Sequence, residues 1–196
     1  MASRRVVAVM AVVLCLGWAL AQQGASRETV SGKFGGANVS IEYGRPSLNG
    51  RSFQELTKKL PGDRMWRAGS EQVTTLTTNT DLLLGTKRVP AGKYSLYVHC
   101  GEEGTYSLAV NRDLGQPLGK IWSQAPAQLA KEPWPHFAYQ KEIGDTEVAR
   151  APMKRVEANE PVDLFTITLN PTSRGAEMKM SWGKQTWLLD IQPAGE

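Results

Sequence analysis

The chain has 196 residues, of which 21% are charged and 41% are apolar, and its formal net charge is +4. These proportions are typical of a globular protein and exclude a disordered or fibrous one. The length favours one domain, or at most two small ones. Two Cys and two His are too few for a disulfide framework or a multi-histidine metal site.

The first segment, residues 1–21, has the features of a secretory signal peptide. Arg4 and Arg5 precede an uncharged apolar run over residues 6–20, and Ala19-Leu20-Ala21 has the small-x-small pattern of a cleavage site. The run is shorter than the roughly 20 residues that cross a bilayer, although an uncleaved N-terminal anchor is the alternative. The protein is therefore predicted to be exported to the periplasm or the extracellular space.

Cleavage after this segment changes what the charge and the cysteines imply. Two of the 23 basic residues and none of the 19 acidic residues lie in it, so the net charge falls to +2. No basic block remains to mark a nucleic-acid binder. Cys15 is also removed, and we expect the remaining Cys100 to be buried and inert. Residues 22–196 are predicted to form a single domain with a core over about residues 28–192.

Short β-strands dominate the rest of the chain. Gly and Pro separate segments in which apolar and polar residues alternate, namely 38–43, 94–99, 106–110, 165–169, 178–182 and 187–191. This period of two places one face of each strand on a core and the other toward solvent. Roughly ten such strands predict an all-β antiparallel sandwich, either jelly-roll-like or an open barrel. Gly183–Gln185 is predicted to close a hairpin between the last two strands.

One short helix is predicted among the strands. Ser52 can cap it, Glu55 three residues later completes a capping box, and Pro61-Gly62 ends it. The segment 113–138 is irregular and rich in Pro. This composition is typical of a long loop, with a helical turn predicted near residues 127–131.

The most unusual sequence lies between Tyr43 and Thr75. Its motifs, and one that follows them, are Tyr43-Gly44-Arg45-Pro46, Gly50-Arg51, Trp66-Arg67-Ala68-Gly69-Ser70-Glu71 and Pro90-Ala91-Gly92-Lys93-Tyr94-Ser95-Leu96. Together they resemble the bacterial family that shares domain of unknown function 2911, over most of the chain after the signal. The resemblance implies an exported, β-rich domain and supplies no mechanism. Members often have Asn where this chain has Ser70, so a family role for an amide does not transfer to that position.

The candidate site consists of Arg45, Arg51, Trp66, Arg67 and Glu71. Three guanidinium groups in a short stretch offer rigid donor sets that suit carboxylates and phosphates, and Trp66 can supply a stacking wall. One interpretation is a pocket for an anion or a sugar. The other is an internal salt-bridge network that fixes the helix-containing segment to the sheet.

Two further residues, Lys93 and His99, are secondary candidates. Lys93 directly precedes the strand segment 94–99, and His99 lies on the polar face of that segment near its end. No HExxH or paired CxxC spacing, no GxGxxG or Walker loop and no GxSxG elbow occurs, so neither a metal nor a cofactor is predicted.

Three functions are compatible with these residues. The preferred one is a non-enzymatic, exported β-sandwich protein that binds a small polar or anionic ligand or a cell-envelope partner. The second is an extracytoplasmic hydrolase that uses Glu71 with the Arg cluster. The third is a structural envelope module without a ligand site. We expect Arg45, Arg67 and Glu71 to converge in an open pocket in the first two cases, and to be buried and mutually bonded in the third.

Overall fold

The computed structural model describes residues 26–195. The predicted signal peptide, residues 1–21, lies outside this range. Within the described range, no helix has the length and apolar character needed to cross a membrane.

The described chain consists of β-strands with three short helices. The strands are β1 (Arg27–Phe34), β2 (Ala37–Gly44), β3 (Met65–Trp66), β4 (Thr75–Thr78), β5 (Leu82–Leu84), β6 (Lys87–Val89), β7 (Gly92–Cys100), β8 (Tyr106–Asn111), β9 (Gln116–Pro117), β10 (Pro133–Trp134), β11 (Glu147–Pro171) and β12 (Ala176–Pro193). The helices are α1 (Phe53–Thr57), α2 (Leu118–Ile121) and α3 (Tyr139–Ile143).

The strands form an open antiparallel arrangement in the order β1-β2-β4-β7-β8-β11-β12-β5-β6, and β3 pairs with β7. Residues 147–153 of β11 pair with β8, whereas residues 154–157 and, after a bulge, residues 162–171 pair with β12, which β5 extends. β11 therefore passes from one layer to the other, and the large apolar core is buried between the layers. The predicted all-β sandwich is confirmed, and the sheet is not closed into a barrel.

The β11–β12 hairpin bends where β11 carries extra residues. Glu157 lies opposite Gln185 and Val162 lies opposite Gly183, so β11 uses more residues than β12 over this stretch. The prediction of a turn at Gly183–Gln185 is wrong, because a bulge on β11 and the positive φ of Gly183 bend the pair without ending β12.

Helix α1 has the predicted capping box. Ser52 Oγ accepts from the Glu55 backbone N–H, and the Glu55 carboxylate accepts from the Ser52 backbone N–H at 2.7 Å. The prediction of a single helix is wrong, because α2 and α3 also form, each without a side-chain cap. Buried Tyr139 and Ile143 hold α3 on the sheet, so tertiary packing replaces the local signal that was absent from its sequence.

Strand β7 is buried on both faces. Leu96 and Val98 face the core between the layers, as their alternation predicts, and Cys100 is buried with them. Cys100 is buried, as predicted. Burial raises the pKa of its thiol to about 12, which disfavours the reactive thiolate. On the opposite face, Tyr97 packs against Tyr139 of the 112–146 segment, with ring centroids 4.7 Å apart.

The glycines of two sequence motifs allow two backbone segments to meet. A Cβ at Gly44, the last residue of β2, would collide with the carbonyl oxygen of Ser70. A Cβ at Gly69 would lie 2.8 Å from Thr74 Oγ1 and 3.0 Å from the Gly44 carbonyl oxygen. Real Cβ atoms do not approach backbone this closely, so both positions require glycine for packing. The end of β2 thereby lies directly against residues 67–71.

We expect Gly44→Ala to destabilise the protein by about 1–3 kcal/mol, because the added methyl meets backbone that cannot shift without disturbing β2. The control is Gly62→Ala, since nothing lies within 4 Å of a Cβ there. Its free energy of unfolding should change by less than about 1 kcal/mol. Urea denaturation of the three proteins measures both effects, and equal losses would contradict the packing role of Gly44.

Candidate functional site

A pocket of about 360 Å³ opens beside α1, and we call it the α1 pocket. Its walls come from α1 and the residues after it, from residues 65–70, and from two residues of the 112–146 segment. The described residues that line it are Pro46, Arg51, Phe53, Leu56, Thr57, Lys59, Leu60, Pro61, Met65, Trp66, Arg67, Gly69, Ser70, His136, Phe137 and Trp182. This volume is within the usual range for small-molecule sites.

Aromatic rings form the inner wall of the α1 pocket. Trp66 and Trp182 are stacked, with centroids 5.2 Å apart and an interplanar angle of 15°. Phe53 meets the edge of Trp66 at 5.9 Å, and its other face packs toward Trp187 at 4.9 Å. These rings belong to the main core, so the wall is rigid and continuous with it.

Arg67 is the least exposed of the three cationic residues that line the α1 pocket. Burial lowers the pKa of its guanidinium, although the negative charge of Glu71 opposes this shift. Among residues 26–195, the guanidinium has no hydrogen bond or ion pair, in contrast to Arg45 and Arg150. A partly desolvated cation without a bonded anion is energetically costly, and an incoming anion can offset that cost.

Ser70 adds a second polar group without a partner. Its Oγ is buried and has no hydrogen bond within the described structure. Such atoms are rare in folded proteins and call for an explanation. The loop that carries it is held in an unusual shape, because Ala68 and Glu71 have φ values of 49° and 58°, and Thr74 Oγ1 donates to the Ala68 carbonyl at 2.9 Å.

The outer wall consists of His136 and Phe137. The backbone N–H of His136 donates to the Tyr97 hydroxyl at 3.1 Å, which fixes this segment to β7. Its ring nitrogens lie 2.9 Å from a Glu142 oxygen and 3.1 Å from an Asp113 oxygen, although the second contact lacks hydrogen-bond geometry. Both ring nitrogens therefore face carboxylates, and His136 does not form the serine–base pair of a nucleophilic enzyme.

The structure separates the three arginines of the candidate site. Arg45 lies off the described wall of the pocket; its guanidinium pairs with Glu28 at 2.8 Å and bonds the Phe165 carbonyl and Thr166 Oγ1. It fixes the end of β2 to β11. Arg51 lines the pocket from an exposed position, and its Nε donates to the Leu48 carbonyl at 2.9 Å.

The other predicted residues lie at different distances from the pocket. Trp66 lines it, and Glu71 acts on it through its charge near Arg67 but is not part of the described wall. Lys93 lies in a separate shallow groove beside β1 and β2. His99 pairs with Met65 at the β3–β7 ladder outside the pocket; partial burial and the charge of nearby arginines lower its pKa.

The sequence does not predict much of the pocket wall. Phe53 and His136 line the pocket but are not among the candidate site residues. Phe137 and Trp182 come from segments more than 65 residues from Trp66 and carry no local signal of a shared site. The sequence singles out Ser70 only because family members often have Asn at this position.

The described residues contain no group of three or more His, Cys, Asp or Glu side chains that could hold a metal ion. The donor set of the α1 pocket is instead suited to anions, because Arg51, Lys59 and Arg67 line it and none of its described lining residues is Asp or Glu.

The family model described as a protein of unknown function, DUF2911, matches residues 25–191. The chain belongs to this family. The match includes both glycine-containing motifs that bring β2 against residues 67–71. No curated protein and no solved structure matches the chain. For this DUF2911 protein, the function must therefore be argued from the α1 pocket itself.

The capping box of α1, which supports one wall of this pocket, predicts that the stability of the protein depends on pH. Hydrogen bonds from the backbone and hydroxyl of Ser52 lower the pKa of Glu55. A carboxyl with a lowered pKa in the folded state contributes stability above its unfolded pKa of about 4.3, and that contribution is lost as the pH falls through the folded value. We expect Glu55→Gln to lower the urea midpoint at pH 7, with the deficit vanishing toward pH 3.

The control for this measurement is Glu157→Gln, on the exposed bulge of β11. It should leave the urea midpoint nearly unchanged at pH 7. A deficit for Glu55→Gln that is the same at pH 7 and pH 3 would show that its carboxylate charge does not support α1.

Proposed function

We propose that this DUF2911 protein binds a small anionic ligand in the α1 pocket. The observation that carries the proposal is Arg67: a partly desolvated guanidinium that lines a preformed pocket and has no bonded anion among the described residues. A half-buried cation without a bonded anion gains free energy when an anionic ligand pairs with it.

The surroundings of Arg67 support an anion rather than a cation or a neutral partner. Arg51 and Lys59 lie on the same pocket wall and add positive potential at its exposed part. Such a field raises the local concentration of anions and their rate of entry.

The alternatives have less support. A hydrolase that uses Glu71 needs its carboxylate at the reacting atoms, yet Glu71 is not part of the described pocket wall. A purely structural network accounts for Arg45, which is bonded to Glu28 and β11, but it does not account for Arg67.

The test is a thermal-unfolding screen of the purified protein with acetate, inorganic phosphate, citrate, phenylacetate and glucose 6-phosphate. A ligand present at 100 times its Kd should raise Tm by about 5–10 °C, because it binds only the folded state. Arg67→Met should remove the shift. Its own Tm without ligand should not fall much, since a half-buried guanidinium with no bonded anion among the described residues is replaced by an apolar side chain.

The matched control is Arg88→Met, because Arg88 lies on β6, away from the pocket, and pairs with Asp81 on the surface. It should keep the full ligand shift. The proposal is wrong if no anion raises Tm, or if Arg67→Met and the parent protein respond alike.

We further propose that binding takes place outside the cytoplasm. The support is the sequence of residues 1–21, with its basic start, apolar run and Ala19-Leu20-Ala21. Expression in a bacterium with a C-terminal tag should yield an extracytoplasmic protein whose N-terminal sequence begins at Gln22. An Ala21→Arg variant should retain the uncleaved segment, and recovery of the parent protein uncleaved in the cytoplasm would contradict export.

A further inference from the structure

We propose that the ligand of the α1 pocket is an aromatic monocarboxylate, with its carboxylate on Arg67 and its ring beside Trp66 and Phe137. This inference rests on the proposed function and narrows it to one chemical class. It is carried by the position of a guanidinium without a bonded anion next to an aromatic wall in one pocket.

The polar end of the pocket matches a carboxylate. Arg67 lines the pocket, and its guanidinium has no hydrogen-bond partner among residues 26–195. A guanidinium donates two parallel hydrogen bonds to a carboxylate. A single carboxylate would therefore pair with Arg67 in its preferred geometry.

The charge of the pocket matches a single negative charge. Arg67 is the lining cation whose pKa burial depresses, whereas Arg51 and Lys59 are exposed and remain hydrated. The Nε of Arg51 also donates a hydrogen bond to the Leu48 carbonyl. A phosphate dianion would bring a second charge out of water without a second desolvated cation to meet it, which makes it the poorer ligand.

The remaining wall matches an aromatic body. Phe53, Trp66, Phe137 and Trp182 all line the pocket, and aromatic pairs gain energy beyond the area that they bury. Sugars need several side chains that accept and donate hydrogen bonds to hydroxyls, yet none of the described lining residues is Asp, Glu, Asn or Gln.

Phe137 stands at the solvent side of this wall. Phe137 is 50% exposed, whereas Phe53 and Trp182 on the inner wall are almost fully buried. A ring bound against Trp66 would cover part of that exposed surface. Phe137 is thus placed to select the body of the ligand and not its carboxylate.

The test is isothermal titration calorimetry of the purified protein with phenylacetate and three relatives of it. Phenylacetamide keeps the ring and removes the charge, acetate keeps the charge and removes the ring, and hexanoate replaces the ring by an alkyl chain. Phenylacetate should bind best, and phenylacetamide about tenfold to a hundredfold more weakly, the usual value of charge-assisted hydrogen bonds. Acetate should also bind at least about tenfold more weakly, because it buries little apolar surface.

Variants assign the two ends of the ligand to the two ends of the pocket. Arg67→Met should weaken phenylacetate strongly but leave phenylacetamide nearly unchanged. Phe137→Ala should weaken both of these ligands and leave acetate unchanged. Trp122→Ala is the control, since Trp122 is 49% exposed and is not part of the described pocket wall; it should change none of the affinities.

The outcomes separate this inference from the proposed function. If phosphate or acetate binds as tightly as phenylacetate and Arg67→Met abolishes that binding, the pocket is an anion site but the aromatic class is wrong. If hexanoate equals phenylacetate, the aromatic preference is also wrong. If no anion binds in an Arg67-dependent way, the proposed function fails as well.

Discussion

The absence of a side chain at Gly44 is the constraint on which the site depends. It lets the end of β2 lie against the Ser70 backbone, and Gly69 permits the same approach from the other side. The loop after Trp66 lies at this contact; its Ala68 and Glu71 have positive φ, and Thr74 Oγ1 donates to the Ala68 carbonyl. Arg67 begins this loop, so the backbone packing supports its position beside the pocket.

Arg45 and Arg67 have different structural roles, because Arg45 has bonding partners on neighbouring strands and Arg67 lines a pocket. Both belong to motifs within a short stretch of the chain, and both are partly buried. Arg45 reaches Glu28 and acceptors on β11, so its hydrogen-bonding capacity serves strand packing. Arg67 points its charge at a cavity instead. A network that holds the fold and a pocket that is open to a ligand therefore exist side by side, where the sequence presented them as alternatives.

The sequence predicted the features that depend on local chemistry. The period-two alternation located β2, β7 and β8, and the Ser52–Glu55 spacing located α1. The sequence did not predict the bend in the β11–β12 hairpin or the burial of both faces of β7, because contacts between distant segments determine each of them. For the site, motif composition pointed to Arg51, Trp66 and Arg67, but pocket residues such as Trp182 reach it only through the fold.

The walls of the α1 pocket come from two stretches of chain with separate supports. The anion end belongs to the tight β2 contact, whereas His136 and Phe137 belong to the 112–146 segment, held by Tyr97 and by α3 on the outer face of β7. Changes in that outer segment can reshape the cavity without altering strand pairing or the guanidinium. In this DUF2911 protein, the shape of the proposed ligand site and the charge at its inner end are therefore supported by different parts of the chain, so that one can change without the other.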